Sequence, residues 1–249
     1  MDDKLTTFLG LPLSTGISLD DVCALQDAAG GHFITFINPF AWNVAETNPD
    51  YRTWLTRMTL VLPDGEGVAA AYRHIVKGMC QRISFDMSSL ADPFLSRATA
   101  GRKSIALIGG QPGVTSAAAD KLRQRYPGIH IVRTDDGYTK TDILVAGILR
   151  DRPDIVIAGM GIPYQEKLLV ALRDAGYEGL AITCGGFFDQ FLMAEYYYPE
   201  IVNRLNLRFL YRLIKEPRRL WRRYLLQYRQ FIRSFILAKI GGVSSREPL

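Results

Sequence analysis

The chain has 249 residues, of which 48% are hydrophobic and 22% are charged, with a formal net charge of +5. This balance is ordinary for a soluble globular protein with one main domain. The three cysteines, Cys23, Cys80 and Cys184, are widely spaced and there are only three histidines, which argues against a disulfide scaffold and against a structural zinc site.

The charge is unevenly distributed along the chain. Residues 1–203 contain 18 basic and 23 acidic side chains, a net charge of −5, whereas residues 204–239 contain 11 basic side chains and one acid, a net charge of +10. An acidic body with a basic tail indicates that the tail meets a polyanion or an anionic surface.

The opening MDDKLTTFLG has no basic region followed by an apolar stretch, so we expect no signal peptide. The apolar runs also fall short of the roughly 20 residues that a membrane-spanning helix needs. We therefore expect a cytoplasmic protein, held peripherally at the inner face of the membrane by its basic tail.

Six short apolar runs alternate with segments of helical spacing. In chain order they are HFITFIN, TLVLPDG, SIALIGG, IHIVRTDDG, DIVIAGMG and LAITCGG. Helical spacing is clear over 114–125 and 165–175. This alternation predicts a Rossmann-like α/β fold, with a mostly parallel sheet, helices on both faces and the chemistry at the carboxyl ends of the strands.

The βα rhythm stops near Tyr198, which places a domain boundary there. Residues 1–198 are predicted to form the α/β core and residues 199–249 a helical basic appendage. After Pro217, apolar positions recur at i and i+3 or i+4, while most arginines fill the opposite face. This pattern is typical of a helix that lies in the interface of an anionic membrane.

Common motifs of parallel-sheet enzymes are absent from the sequence. There is no G-x-G-x-x-G after the first strand, no phosphate-binding G-x-x-x-x-G-K-[ST], no G-x-S-x-G, no H-E-x-x-H and no D-x-D. A Rossmann-like oxidoreductase or methyltransferase with a partner-binding tail stays open at this point. A nucleic-acid-binding protein is less consistent with the tail, because its aromatics and most of its arginines lie on opposite helical faces.

Seven stretches occur in the order LVLPDGEGV, QRISFDMSSLA, IALIGGQPGV, DDGY, GMGIPYQE, CGGFFD and FLYRLIKEPRRLWRRY. Together they resemble the WecG/TagA/CpsF family of bacterial glycosyltransferases, from about Phe33 to Tyr224. The resemblance implies an inverting enzyme that moves a hexose from a UDP-sugar to a polyprenyl-diphosphate-linked acceptor. It implies no cofactor, no metal and no nucleic-acid partner, and self-association is a further expectation from related cores.

The resemblance implies a catalytic role for two residues. Asp64, in Pro63-Asp64-Gly65, matches the family's proposed catalytic aspartate, and a carboxylate after a strand suits a general base. A simple Asp-Gly turn is the alternative. Arg82 matches an active-site arginine, and without a D-x-D motif we expect arginines to stabilise the departing diphosphate. For Arg82 the alternative is a surface ion pair with Asp86.

Four further residues are expected to bind substrate. Gln165 matches a substrate-binding glutamine, and with Glu166 it should open a helix whose N–H groups can meet an anion. A plain helix start, with Glu166 complementing the helix dipole, is the alternative. Asn38 matches the asparagine of a Thr-x-Asn pattern. Phe36 stands where that threonine is expected, with Thr35 beside it.

Tyr138 and Asp189 are candidates for contacts with uridine, through stacking and through the ribose hydroxyls. Packing for Tyr138 and helix capping for Asp189 are the alternatives. In the tail, three arginines match residues that are proposed to close over the diphosphate in this family, and a solvated helix face is their alternative: Arg212, Arg219 and Arg222.

Two departures from the family pattern bear on specificity. Phe36 removes or displaces a hydroxyl near the sugar, which argues against an N-acetylmannosamine donor, and RISFDMSSLA with Asn38-Pro39 is closer to exopolysaccharide-type members. Donors of both the UDP-glucose and the UDP-N-acetylmannosamine type stay open. Arg208-Phe209 replaces the common Glu-Trp of the tail and reverses one charge.

Overall fold

The computed structural model describes residues 5–195, 197, 201–202, 211, 214 and 228–241. Eight strands lie in this part of the chain: β1 (Leu5–Phe8), β2 (Leu11–Ser14), β3 (His32–Ile37), β4 (Leu60–Pro63), β5 (Ser104–Gly109), β6 (His130–Asp135), β7 (Ile155–Gly159) and β8 (Leu180–Thr183). Strands β3 to β8 form one parallel sheet in the order β4-β3-β8-β7-β5-β6, and β1 and β2 form an antiparallel hairpin.

The described helices connect these strands. They are α1 (Leu19–Ala24), α2 (Pro39–Thr47), α3 (Pro49–Thr56), α4 (Glu66–Val76), α5 (Ala91–Ala100), α6 (Val114–Arg125), α7 (Thr141–Asp151), α8 (Tyr164–Asp174), α9 (Phe187–Met193) and α10 (Arg229–Gly241). The six predicted strands and both predicted helices are confirmed, and so is the Rossmann-like class.

The sheet is buried on both faces because its strands alternate between two hydrophobic cores. In β3, Ile34 and Phe36 join the core covered by α1, α5, α6 and α9, whereas Phe33 and Ile37 join the core covered by α2, α3, α4, α7, α8 and α10. Burial on both sides explains why the strands inside the sheet read as continuous apolar runs, whereas the edge strand β6 (HIVRTD) is partly exposed and carries polar residues.

The connections reverse direction between the neighbouring strands β5 and β7. The chain leaves β5 toward the edge strand β6, and it leaves β7 toward β8 in the opposite direction. Ligands of open parallel sheets bind outside the carboxyl ends of the strands at such a point.

Glycines allow close backbone contact at this point. A Cβ on Gly109 would lie 2.3 Å from the Gly159 carbonyl oxygen, and one on Gly159 would lie 2.8 Å from the Gly185 oxygen. The backbone N–H of Gly110 donates to the Gly159 oxygen at 3.2 Å, and that of Gly137 donates to the Gly110 oxygen at 2.9 Å. The carboxyl ends of the strands from β6 to β8 therefore meet through main chain alone.

The hairpin of β1 and β2 was not among the predicted elements. It lies beside the edge strand β4, where the Ser14 hydroxyl accepts a hydrogen bond from the Val61 backbone N–H at 3.0 Å. The hairpin thus satisfies part of an edge that would otherwise expose unpaired backbone groups.

Helix α10 packs on α2 and α4 through aromatic side chains. Phe231 is buried against Trp42 with ring centroids 4.8 Å apart, and the ring centroids of Phe235 and His74 are 5.9 Å apart. The Trp42 indole N–H donates to the Leu9 carbonyl oxygen at 2.9 Å, which ties this contact to the β1–β2 hairpin. None of the described helices is both long and apolar enough to cross a bilayer.

Candidate active site

The carboxyl ends of β3 and β4 bring two of the predicted site residues together. Asn38 directly follows β3 and Asp64 directly follows β4, and Ile37 pairs with Pro63 in the parallel register. The Asp64 backbone N–H donates to the Ile37 carbonyl oxygen at 2.8 Å. Both side chains are half-buried at the edge of the sheet where ligands of this fold bind.

Asp64 and Arg82 are linked through one serine. The Ser84 hydroxyl donates to Asp64 Oδ1 at 2.6 Å, and Arg82 Nη1 donates to the Ser84 oxygen at 3.1 Å. Ser84 is only 7% exposed, although Asp64 and Arg82 are half-buried. A carboxylate and a guanidinium, the two groups that the sequence predicted to be catalytic, therefore share one hydrogen-bonded hydroxyl.

The loop that carries Arg82 and Ser84 is fixed to the end of β4. The Ile83 backbone N–H donates to the Pro63 carbonyl oxygen at 3.0 Å, next to Asp64. Arg73 of α4 donates from Nη1 to the Cys80 carbonyl oxygen at 2.7 Å and forms an ion pair with Glu66 at the start of the same helix.

Asn38 caps α2 with one side of its amide. Its Oδ1 accepts a hydrogen bond from the Phe40 backbone N–H at 3.0 Å, and Pro39 occupies the first turn, where its missing N–H costs nothing. Because the cap uses Oδ1, the Nδ2 side of the amide is what Asn38 can offer to a ligand.

Thr35, Gln165 and Glu166 form a buried cluster under the edge of the sheet. Oε1 of Glu166 accepts hydrogen bonds from the Thr35 hydroxyl at 2.7 Å and from Gln165 Nε2 at 3.0 Å, and Thr35 is 3.1 Å from the hydroxyl of Thr183. Burial of Glu166 raises its pKa to about 7, against the smaller lowering effect of the two hydrogen bonds. Among the described residues, Gln165 Oε1 and Glu166 Oε2 have no hydrogen-bond partner.

The structure places Tyr138 in the loop after β6 and Asp189 in α9, which follows β8. Tyr138 is 70% exposed, so it is not a core residue, and its hydroxyl accepts a hydrogen bond from Gln111 Nε2 at 2.6 Å, which joins the loops after β5 and β6. Asp189 is exposed in the first turn of α9 and makes no side-chain cap, since Gly186 holds the cap position.

Two helices begin at the switch point without a side-chain cap. The cap positions of α6 and α8 are Gly113 and Pro163, and neither makes a side-chain cap hydrogen bond. By contrast, Ser18, Asn38 and Asn48 cap α1, α2 and α3. Uncapped N-termini leave N–H donors and the positive end of the helix dipole for an anion.

Three predicted diphosphate ligands lie outside the described residues, namely Arg212, Arg219 and Arg222. In the part of the chain that is described, no group of three or more His, Cys, Asp or Glu side chains is placed to hold a metal ion.

Sequence reasoning missed Ser84 and Thr183 as members of these clusters. Ser84 lies 20 residues from Asp64, and Thr183 lies 148 residues from Thr35, so no local spacing connects them. One available signal was the polar Ser84 between the apolar Ile83 and Phe85, both of which are buried. A lone polar residue in a buried segment needs a partner.

The fold and the edge just described are those of a Rossmann-like α/β enzyme with its site at the carboxyl ends of the strands. More narrowly, the chain belongs to the glycosyl transferase WecG/TagA/CpsF family, whose model matches residues 6–244. The expected resemblance is thereby confirmed, and the chain is a glycosyltransferase.

Characterised relatives span most of the chain. It is 30% identical to a UDP-Gal:alpha-D-GlcNAc-diphosphoundecaprenol beta-1,4-galactosyltransferase of Shigella boydii, over 86% of this chain and 89% of that protein. It is 30% identical to an N-acetylglucosaminyldiphosphoundecaprenol N-acetyl-beta-D-mannosaminyltransferase of Bacillus spizizenii, over 90% and 83%. The enzyme of that name from Bacillus subtilis is 34% identical over 78% and 75%.

Proposed function

We propose that this enzyme transfers a hexose from a UDP-sugar to a polyprenyl-diphosphate-linked saccharide, with inversion at the anomeric carbon, in exopolysaccharide or cell-wall polymer biosynthesis. The names of three relatives support the acceptor class, since each name contains N-acetylglucosaminyl-diphosphoundecaprenol, abbreviated in one of them as GlcNAc-diphosphoundecaprenol. The observation that carries the proposal is the Asp64 carboxylate at the edge of the sheet, with Oδ1 held by Ser84 and Arg82 one hydrogen bond further on.

Asp64 acts as the general base in this scheme. The acceptor hydroxyl oxygen attacks the anomeric carbon of the donor, its proton passes to Asp64 Oδ2, and the bond from the anomeric carbon to the diphosphate oxygen breaks. UDP leaves with the bonding electrons. Because Ser84 already occupies Oδ1, the second carboxylate oxygen is the one that faces this proton transfer.

The departing diphosphate is best accommodated at the switch point between β5 and β7. The uncapped N-termini of α6 and α8 leave N–H donors there, and Arg82 adds a guanidinium from the end of β4. Arg212, Arg219 and Arg222 are proposed to complete this charge from the appendage.

The remaining candidates divide between sugar and nucleoside. Asn38 Nδ2 and Gln165 are proposed to contact the sugar, while Thr35 and Glu166 support Gln165 from below through their buried hydrogen bonds. The exposed ring of Tyr138 is proposed to stack on uracil, and Asp189 to accept from ribose hydroxyls.

The substitution Asp64→Asn tests the proposed base, since an amide of the same shape cannot take the proton. We expect kcat to fall by about 10²- to 10⁴-fold while the affinity for UDP-sugar stays within about threefold of the wild type. Transfer would be measured by mass with a polyprenyl-diphosphate-sugar acceptor. Asp50→Asn, at an exposed position of α3, is the matched control. Transfer at the wild-type rate by Asp64→Asn would remove Asp64 as the base.

A panel of UDP-hexoses in the same assay separates the two donor classes. Phe36, at the position of the family threonine, is 7% exposed and belongs to the core on the α1 side of the sheet, so its ring offers the sugar no hydroxyl. This supports UDP-glucose over UDP-N-acetylmannosamine as the preferred donor.

The appendage is proposed to hold the enzyme at an anionic membrane surface on the cytoplasmic side. Four exposed aliphatic residues of α10 point away from the core, namely Ile232, Ile236, Leu237 and Ile240. Three exposed cations, Arg229, Arg233 and Lys239, lie among them. Aliphatic side chains mixed with cations suit the interface between acyl chains and anionic headgroups.

A further inference from the structure

Ser84 occupies a fixed position between the two groups proposed to carry out the chemistry. Its neighbours Ile83 and Phe85 are 1% and 6% exposed, and Phe85 packs against Phe94 and Phe187 with ring centroids 5.6 and 5.2 Å away. The Ser84 carbonyl oxygen accepts from the backbone N–H groups of Asp86 and Leu90 at 3.0 and 3.1 Å. Both side-chain packing and backbone hydrogen bonds therefore hold this hydroxyl in place.

The two hydrogen bonds of the Ser84 hydroxyl have a fixed direction. A guanidinium can only donate, so Arg82 Nη1 must use a lone pair of the serine oxygen. The serine proton is thereby directed to Asp64 Oδ1, 2.6 Å away. The adjacent cation polarises this donor further.

We propose that Ser84 is a positioning residue for sugar transfer, which couples Arg82 to Asp64 and directs Oδ2 toward the acceptor hydroxyl. This inference rests on the proposed function, because it assigns Ser84 a role through the base and not through contact with substrate. When Oδ2 takes the acceptor proton, Oδ1 can still accept from Ser84, so the arrangement is kept through the step.

A purely structural role for Ser84 makes different predictions. If the hydroxyl only satisfied a buried polar group, its loss would lower stability and leave the kcat of the folded enzyme close to that of wild type. A positioning role through the base lowers kcat and leaves the KM for UDP-sugar unchanged, because Ser84 itself does not contact the substrate. The split between kcat and KM therefore separates the two roles.

The experiment compares Ser84→Ala, Ser84→Thr and wild type in the transfer assay, on protein shown to be folded by thermal unfolding. We expect the kcat of Ser84→Ala to fall by about 10- to 100-fold, with the KM for UDP-sugar within about threefold of wild type. In Ser84→Thr the hydroxyl is kept, and kcat should return to within about threefold of wild type. Ser88→Ala is the matched control, because Ser88 is exposed in the same loop and donates to Asp86.

A double-mutant cycle tests the coupling to Arg82. Arg82→Gln should also lower kcat, and Arg82→Gln combined with Ser84→Ala should lower it by less than the product of the two single factors, because the guanidinium acts through the serine. Single factors that simply multiply would contradict the coupling. If Ser84→Ala does not fold, Ser84→Cys supplies a side chain of nearly the same shape with a weak donor and should show the fall in kcat.

The result that overturns the inference is a kcat of folded Ser84→Ala, or of Ser84→Cys, that equals the wild-type kcat. A fall in kcat that Ser84→Thr fails to reverse would contradict the role of the hydroxyl. Failure of the proposed function gives a different result, since wild-type enzyme would then transfer no hexose from any UDP-sugar at any pH.

Discussion

The sequence predicts the position and burial of some side chains in this site but not of others. Asp64, Asn38 and Gln165 follow strands, so their place at the carboxyl edge could be predicted from the βα alternation alone. The burial of Glu166 was missed because the first turn of a helix ordinarily faces solvent. A signal was present, since Glu166, Leu169 and Val170 repeat at the i, i+3 and i+4 spacing of one buried helix face.

The buried carboxyl group of Glu166 should make the stability of the folded protein depend on pH. Its pKa of about 7 in the folded protein lies above its ordinary value of 4.5, so its contribution is fully present at low pH and is lost as pH rises toward and through 7. The loss amounts to about 3 kcal/mol between pH 4 and pH 8. Burial and the charge of Glu166 also raise the pKa of Tyr51, in the same core.

The substitution Glu166→Gln should remove this loss, because an amide does not ionise. We expect the free energy of unfolding of the variant minus that of the wild type to increase by about 3 kcal/mol from pH 4 to pH 8, because the wild type loses stability over this range and the variant does not. Urea denaturation at the two pH values measures this, with Glu178→Gln as the exposed control. A difference that is the same at both pH values would show that Glu166 does not titrate in this range.

At the scale of elements, the strands of the central sheet were predictable and the hairpin of β1 and β2 was not. Each central strand is buried on both faces, so its apolar run is unbroken. The hairpin has strands of four residues, and Leu9 and Gly10 at its turn have φ values of 49° and 79°. Asn or Asp usually precedes glycine in such a turn, and a leucine there gives no turn signal.

The docking of α10 depends mainly on one ring, and Phe231→Ala tests it. Loss of the contact with Trp42 should cost about 3 kcal/mol of local stability. Amide exchange in α10 should accelerate on the order of 100-fold, while the central strands keep their protection. Ile232→Ala, at a position 51% exposed on the outer face, should change exchange little. Equal acceleration in both variants would mean that Phe231 does not anchor the helix.

At the scale of the whole molecule, the acidic and the basic parts of the sequence present different surfaces. The acidic body carries the carboxyl edge, and the described end of the basic tail presents aliphatic and cationic side chains outward. The sequence predicted one aromatic stripe opposite the arginines. In the described helix α10, Phe231 and Phe235 instead face the body, because the core on that side of the sheet was still open to a further helix.

Vesicle flotation tests the proposed membrane surface. Ile236→Asp and Ile240→Asp should each weaken binding to anionic vesicles by about tenfold or more, since each removes apolar burial and adds a repelled charge. Raising the salt concentration should weaken wild-type binding as well. The control is Ile143→Asp, 55% exposed on α7, which contacts the opposite edge strand β6. Unchanged flotation of both α10 variants would contradict the proposed surface.

The contacts of α10 also fix its position relative to the carboxyl edge of the sheet. Trp42 is three residues into α2 and His74 eight residues into α4, and both helices begin at the carboxyl edge. At a rise of about 1.5 Å per residue these contacts lie roughly 5 and 12 Å below that edge. If the outer face of α10 lies on the bilayer, as proposed, these two contacts hold the carboxyl edge in one position relative to the lipid, and the enzyme would then select acceptors by the reach of their headgroup as well as by the identity of their sugar.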